Sequence, residues 1–417
     1  MTNEVVVEQH AEEAAFLWKQ RDRGVVAPNF RLKDLSRWDE RVEAHLDGLR
    51  VAGQFGWQLC EKALKEGGAG EVFAAGVLAF GGGDPGRIKA VLKVGVTEPK
   101  FQRAMISALG WLPFGSVAPV LQELLKSDLP EVRYVGIGAC AVHRHDPDLA
   151  IVRALTDADL RLRARALKAC GELGKIGALE IVLKSLPSQD MACQFFAAWS
   201  AARLGNRSVK VIGALREVAL KPGPYALRAL DLALRVMNFN DAKAWQREFQ
   251  ADPARVRLAA VAAGVIGDPA LVGDLIQLMK VPPVARAAGA AFSRITGVDL
   301  AFDDLDVDPP KDFDAGPTEN PKDEKVAMDP EENLRWPGPD LVAAWWKKNG
   351  NRFVAGKRYL CGKDIAEASL RETLIKGYQP QRAVAALELG LRQPSQPMFE
   401  VRARGAIQME QVQRWNS

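Results

Sequence analysis

With 417 residues and 48% apolar content the chain can bury a large core, which an ordinary globular fold would divide into two or three domains. No apolar run approaches the roughly 18 residues of a membrane span, and Met1 to His10 lack the basic-then-apolar pattern of a secretory leader, so a cytoplasmic protein with no membrane span is expected. The net charge of +4 is small but segregated: residues 1–83, 84–300, 301–340 and 341–417 carry balances of −3, +9, −9 and +7.

The first helix is expected over about Glu8–Lys19, before a loop through Ala27-Pro28-Asn29. A second runs from near Ser36 to Val51, where Leu35, Trp38, Val42, Leu46 and Leu49 recur at spacings of three and four and mark one apolar side. From residue 54 to residue 297 the chain repeats itself. Segments of the form small-x-x-small-apolar-Gly end at Ser107-Ala108-Leu109-Gly110, Cys170-Gly171-Glu172-Leu173-Gly174, Ala201-Ala202-Arg203-Leu204-Gly205 and Ala263-Gly264-Val265-Ile266-Gly267. Taking Leu109, His143, Leu173, Leu204, Met237, Ile266 and Ile295 as equivalent points, successive gaps are 34, 30, 31, 33, 29 and 29 residues. Each period reads as two short amphipathic helices, placed at 54–83, 84–113, 114–144, 145–174, 175–205, 206–238, 239–267 and 268–297. A period in this range marks a helical solenoid, whose core grows in one dimension. Asp-Pro at 84–85, 146–147, 252–253 and 268–269 signals helix starts, and Gly at 110, 174, 205 and 267 signals stops.

The second helix of each pair is rich in small residues, for example Ala164, Ala166, Ala169 and Gly171, which lets neighbouring pairs approach closely. Arg133, Arg163, Arg257 and Arg286 recur in phase near the starts of second helices. These features resemble HEAT repeats of the short bacterial kind. The resemblance implies an all-α, right-handed, armadillo-type superhelix of about eight helix pairs, with an Asp–Arg ladder along the stack. Gln194 stands where the fifth pair would carry its Arg, so the ladder is expected to break there.

After Ile295-Thr296-Gly297 the period stops. Residues 301–340 hold seven prolines and thirteen carboxylates, a composition that cannot form its own core. Trp345, Trp346, Phe353, Tyr359 and Leu360 then return as an aromatic cluster, and 364–391 read as one more helix pair. This tail resembles one seen in bacterial HEAT proteins, where it closes the open end of the stack. The expected division is an N-terminal helical cap at 1–53, the solenoid at 54–297, an acidic Pro-rich linker at 298–340 and a helical C-terminal cap at 341–417. The stretch Trp38-Asp39-Glu40-Arg41-Val42-Glu43-Ala44-His45-Leu46-Asp47-Gly48-Leu49, with Gly297-Val298-Asp299-Leu300 and Ala327-Met328-Asp329-Pro330-Glu331-Glu332-Asn333-Leu334, resembles a family of proteobacterial HEAT-repeat proteins with no assigned activity. That resemblance implies a genomic setting near type VI secretion effector genes, and carries over no catalytic residues.

Cys140, His143, His145 and Asp146 are the one cluster with metal-ligand chemistry, but Cys140 lies on an apolar face and Asp146 reads as an N-cap, so no metal site is expected. Asp304, Asp306 and Asp308 echo the opening of a calcium loop, which then fails at Pro309 and Ala315, where Gly and Glu are needed. The five cysteines, Cys60, Cys140, Cys170, Cys193 and Cys361, are odd in number and scattered through apolar helical patterns, as expected of reduced core residues. No nucleophile, base and carboxylate stand at a known spacing, no cofactor motif is found, and four histidines leave little acid–base capacity. A non-enzymatic protein is therefore expected.

The candidate binding residues are basic. Arg161, Arg165 and Lys168 fall at i, i+4 and i+7 on one helix, read as an exposed stripe opposite Leu162, Ala166 and Ala169. Arg203, Arg228, Arg235 and Arg255 extend it along other second helices, with Arg207 and Arg257 beside them. Repeated guanidinium groups favour an acidic partner. The leading expectation is a scaffold or adaptor for another protein with an acidic surface, by resemblance an effector or effector-loading component of type VI secretion. The alternative is a HEAT solenoid that cradles DNA, as alkyl-base glycosylases do, for which +9 over the repeats is modest. In a third, regulatory reading, the acidic segment 301–340 folds over the basic repeats and competes with the partner.

Overall fold

The computed structural model describes residues 4–311, 313, 316, 329 and 331–415. Among them helices dominate, with a single two-residue ribbon, and two compact units are formed: 1–214 with 374–417, and 215–373.

The first unit opens with α1 (Glu4–Gly24) and α2 (Leu32–Val51), packed on each other, both longer at their N-terminal ends than the sequence reading. Helices then alternate: α3 (Gln54–Glu66), α4 (Ala69–Gly82), α5 (Pro85–Gly95), α6 (Pro99–Trp111), α7 (Phe114–Lys126), α8 (Pro130–Val142), α9 (Leu149–Ala154), α10 (Leu160–Leu173), α11 (Leu179–Lys184), α12 (Met191–Arg203) and the first half of α13 (Val209–Leu220). The second helices stack in register along the chain, α4 on α6, α6 on α8, α8 on α10 and α10 on α12. Small residues permit this. A Cβ on Gly138 would lie 2.4 Å from Ile106 Cδ1, and one on Gly171 2.5 Å from the Trp199 ring. Gly110, expected as a helix stop, instead lies inside α6, where a Cβ would meet Val142 Cγ1 at 2.6 Å; α6 ends at the following Trp111, ahead of Leu112 and Pro113. Start signals act as expected at Asp84, whose carboxylate accepts the Arg87 amide at 2.8 Å, while Asp252-Pro253 and Asp268-Pro269 open short 3-10 turns.

The core of this unit runs along the stack. Phe73 of α4 stacks on Trp18 of α1 with ring centroids 4.8 Å apart and meets Trp111 edge-on at 5.3 Å.

The second unit holds α14 (Ala226–Val236), α15 (Phe239–Gln250), α16 (Val256–Ile266), α17 (Val272–Leu278), α18 (Pro282–Thr296) and α19 (Pro339–Asn349), with α14 on α16 and α16 on α18. Phe292 of α18 meets Trp345 and Trp346 of α19 edge-on, and Trp346, Phe353 and Tyr359 continue the cluster. The ribbon, β1 (Tyr359–Leu360) with β2 (Lys363–Asp364), lies across the helix ends: Tyr359 N–H donates to Gly267 O at 2.9 Å and Cys361 N–H to Arg294 O at 2.8 Å.

After α20 (Glu367–Lys376), α21 (Gln379–Arg392) and α22 (Gly405–Gln413) join the first unit, α21 against α12 and α22 against α2. Residues 341–417, read from sequence as one cap, are thus divided by their contacts at residue 374. The reason is polar. The start of α21 is tied to residues 30 and 31, where the Gln379 amide donates to Phe30 O at 2.8 Å and Arg31 donates to the Tyr378 hydroxyl at 2.9 Å, contacts that no hydrophobic period reports.

Candidate functional site

The residues proposed for partner binding fall into different environments. On α10, Arg161 is exposed and held: its guanidinium donates to Gln102 Oε1 of α6 at 2.6 Å and lies 5.6 Å from the ring centroid of Tyr134 on α8. Gln102 is itself buried and anchored, donating to Val96 O at 3.0 Å. Arg165, four residues on, is buried and pairs with Glu172, which also receives Lys168 at 3.2 Å. Burial pushes the Glu172 carboxyl up, but Arg165, followed by Lys168 and Arg144, holds it down at about 2. The single exposed stripe therefore becomes one presented cation, Arg161, and a half-buried cluster around Glu172. The spacing put the three side chains on one helical face, but it carried no information on which neighbour covers the C-terminal part of that face.

Arg203 is likewise not a surface residue. It is fully buried at the end of α12 and donates to the main-chain carbonyls of Gln393 at 3.2 Å and Gln396. Burial, with Arg144 nearby, pushes its guanidinium down to about 10. Arg207 is exposed and donates to Ala202 O at 3.1 Å. In the second unit Arg235 is buried in a forked pair with Asp231, 2.8 and 3.1 Å, which Arg294 joins at 2.7 Å. Burial raises the Asp231 carboxyl, and Arg235 and Arg294 together bring it well below the ordinary carboxylate range. Arg228 and Arg255 are exposed, Arg255 beside Asp252 at 3.3 Å.

The arginines in phase with the repeat are structural. Arg133 donates to Asp157 at 2.7 Å and Arg163 to the Asp157 carbonyl at 2.9 Å, the kind of ladder step the repeat pattern implies. Arg257 and Arg286 reach instead to the acidic segment: Arg257 to Glu331 at 2.9 Å, Arg286 to Asp329 at 2.6 Å. These two carboxylates of the segment read as regulatory lie on α16 and α18 of the second unit. Sixteen residues of that segment, 312, 314–315, 317–328 and 330, and with them Ala327-Met328, Pro330 and Ala315, lie outside the described residues.

His143 is bonded to Leu109 O at 2.9 Å, and Phe114 packs against both His143 and His145. Asp146 pairs with Lys175. Asp306 lies 3.9 Å from Arg335. Among the described residues no group of three or more His, Cys, Asp or Glu is placed to hold a metal ion, and no helix is long and apolar enough to cross a membrane.

Sequence reasoning missed a non-helical segment, 393–404, which runs between turns at 394–396 and 401–403 across the C-terminal ends of α8, α10 and α12. Met398 N–H donates to Glu172 O at 2.8 Å, and Arg144 donates to Met398 O and, at 3.1 Å, to Glu400. A Cβ on Gly174 would strike the main chain of Ser395 and Gln396 at 2.8 Å. Arg21 donates to Arg402 O at 2.7 Å and Ala403 O at 2.9 Å. Arg144 has φ 56°, the left-handed position that Gly174, Gly205, Gly267 and Gly297 fill after other second helices. Its side chain there costs about 1 kcal/mol of backbone strain. One signal was in the sequence: an Arg where the repeat otherwise places Gly. Also missed was a cleft of about 470 Å³ in the same unit, with Leu49, Leu112 and Trp111 on its walls and Arg50, Arg87 and Arg404 around it.

No family model matches the chain, and no curated protein matches it. Among solved structures, a crystal structure of an engineered protein is 19% identical, covering 70% of this chain and 94% of that one, with a TM-score of 0.29. At that TM-score the likeness carries no argument about fold or function.

Proposed function

We propose that this chain is a non-enzymatic scaffold: a right-handed α-solenoid of about eight HEAT-like helix pairs that holds another protein through an acidic surface. The observation that supports it is Arg161, exposed on α10 and fixed by Gln102 of α6 and Tyr134 of α8. A guanidinium held before binding loses little side-chain entropy on docking, and it presents a planar fork suited to carboxylates. On the sequence resemblance, the partner class is an effector or effector-loading component of a type VI secretion apparatus. A reducing compartment such as the cytoplasm suits the five free cysteines, four of which are buried.

The test is crosslinked capture from native cells with tagged parent protein and with Arg161→Glu, folding being checked by circular dichroism. One protein enriched by the parent and lost with the variant supports the scaffold and its surface. Salt-sensitive recovery of nucleic acid alone overturns it in favour of the DNA-cradling alternative, since phosphate contacts weaken steeply with salt.

A further inference from the structure

The segment 393–404 is bound as a ligand is bound, mostly through its main chain. Arg203, Arg144 and Arg21 donate to its carbonyls from three places along the first unit, and the Glu172 carbonyl accepts its Met398 amide. Gly174 brings backbone against backbone.

The charges beneath it do not balance. Arg144, Arg165, Lys168 and Arg203 cluster there with two carboxylates, Glu172 and Glu400. Glu400 pairs with Arg144 and Glu172 with Arg165 and Lys168, but no carboxylate among the described residues pairs with Arg203. The Nε atoms of Arg203 and Arg165 are both buried without a hydrogen-bond partner. A buried cation facing only neutral carbonyls is a poor resting arrangement, and a carboxylate in the same place would convert it to a charge-assisted pair. Arg144 adds backbone strain in order to reach the segment.

We propose that the ends of α8, α10 and α12 form a receptor groove for an acidic, non-helical segment of a partner protein, and that residues 393–404 occupy it in cis as an incomplete ligand. The inference rests on the scaffold reading above and deepens it by naming the partner's chemistry: a non-helical chain with a carboxylate opposite Arg203 and carbonyls free to accept from Arg144 and Arg21. Such a segment makes every main-chain bond that the resident one makes and adds the missing ion pair.

The experiment uses the full chain and two fluorescein-labelled peptides, one with the sequence of residues 393–404 and one differing by Met398→Glu, because the Met398 side chain lies beside Arg203: a Cβ on Gly390 would meet Arg203 Nε at 2.7 Å and Met398 Cγ at 3.0 Å. Fluorescence anisotropy reads binding, and hydrogen exchange reads the Met398 amide. The acidic peptide is expected to bind about tenfold more tightly, the usual scale of one added close charge pair, and to strip protection from Met398. In Arg203→Met the tenfold preference disappears. Should that variant fail to fold, Met398→Glu in the chain itself is expected to raise Tm and weaken the acidic peptide about tenfold. Equal affinity for the two peptides, or binding that leaves Met398 protected, overturns the groove. A partner captured through Arg161 whose binding leaves Met398 protected keeps the scaffold reading and removes this one, so the two failures are separable.

Discussion

Arg21 of α1 and Asp39 of α2 form an ion pair, Nε to Oδ1 at 2.7 Å, with side chains only 5% and 6% exposed. Each partner also holds the C-terminal segment: Arg21 through the carbonyls of residues 402 and 403, Asp39 through the Gly405 amide at 2.6 Å. The pair therefore ties together α1, α2 and the chain leading into α22. Asp39→Asn keeps the shape but leaves a buried guanidinium uncompensated, and breaking such a pair costs about 3–5 kcal/mol. Urea denaturation of the intact chain measures it. A loss under about 1 kcal/mol would show that the pair is dispensable.

Two glycines separate conformational strain from collision. Gly83 has φ +69° with nothing within 4 Å of a built Cβ, whereas Gly297 has φ +75° and its Cβ would lie 2.5 Å from the Cys361 carbonyl oxygen. Gly83→Ala is expected to cost about 1–2 kcal/mol, the left-handed penalty alone. Gly297→Ala adds displacement of the segment beside β1 and should cost more. Gly82→Ala, helical and in open space, should stabilise by about 0.5–1 kcal/mol. Thermal melts of the three variants give the order, and equal losses at 83 and 297 would contradict the close approach.

How much of this was legible depended on the range of the interaction. The helices of the first unit were readable because Leu162, Ala166 and Ala169, or Leu35, Val42 and Leu49, repeat within a few residues and report a buried face directly. Gly110 was misread because a glycine before a loop and a glycine at a helix crossing look alike in one sequence. The stripe failed for the same kind of reason. Periodicity assigns Arg165 and Arg161 to one face, but only the fold says that Arg165 turns to Glu172 and that the Glu172 carbonyl is met by Met398. Residues 393–404 have no period at all, contain Pro394 and Pro397, and bond to positions 190 or more residues away. No local pattern carries such pairings.

The cysteines give a chemical check on burial. Cys60, Cys140, Cys170 and Cys193 are buried, and burial pushes each thiol up to about 12; Cys361 is pushed up to about 11. Since the thiolate is the nucleophile, native protein at pH 8 should react with a disulfide reagent far more slowly than free cysteine, and denatured protein should titrate all five thiols rapidly. Rapid labelling of more than one thiol in the native state would show that the helix stack opens on the timescale of the assay.

Glu172 gives the stability of the first unit a defined pH dependence. Its ordinary value is 4.5; burial alone would raise it, and Arg165, Lys168 and Arg144 bring it to about 2. A carboxyl whose folded value lies below its unfolded one stabilises the fold above the unfolded value and loses that contribution as protons are forced on. The contribution is thus complete above pH 4.5 and fades as pH falls towards 2. A depression of this size corresponds to about 3 kcal/mol at neutral pH. Glu172→Gln removes the charge and leaves three cations facing one another, so the variant should melt well below the parent at pH 6. The gap should shrink steadily at pH 4, 3 and 2.5, because the parent is losing the same charge by protonation. Calorimetry across that series decides the matter. A gap that stays constant with pH would mean that Glu172 acts through packing, and that the cations around it are balanced by other groups.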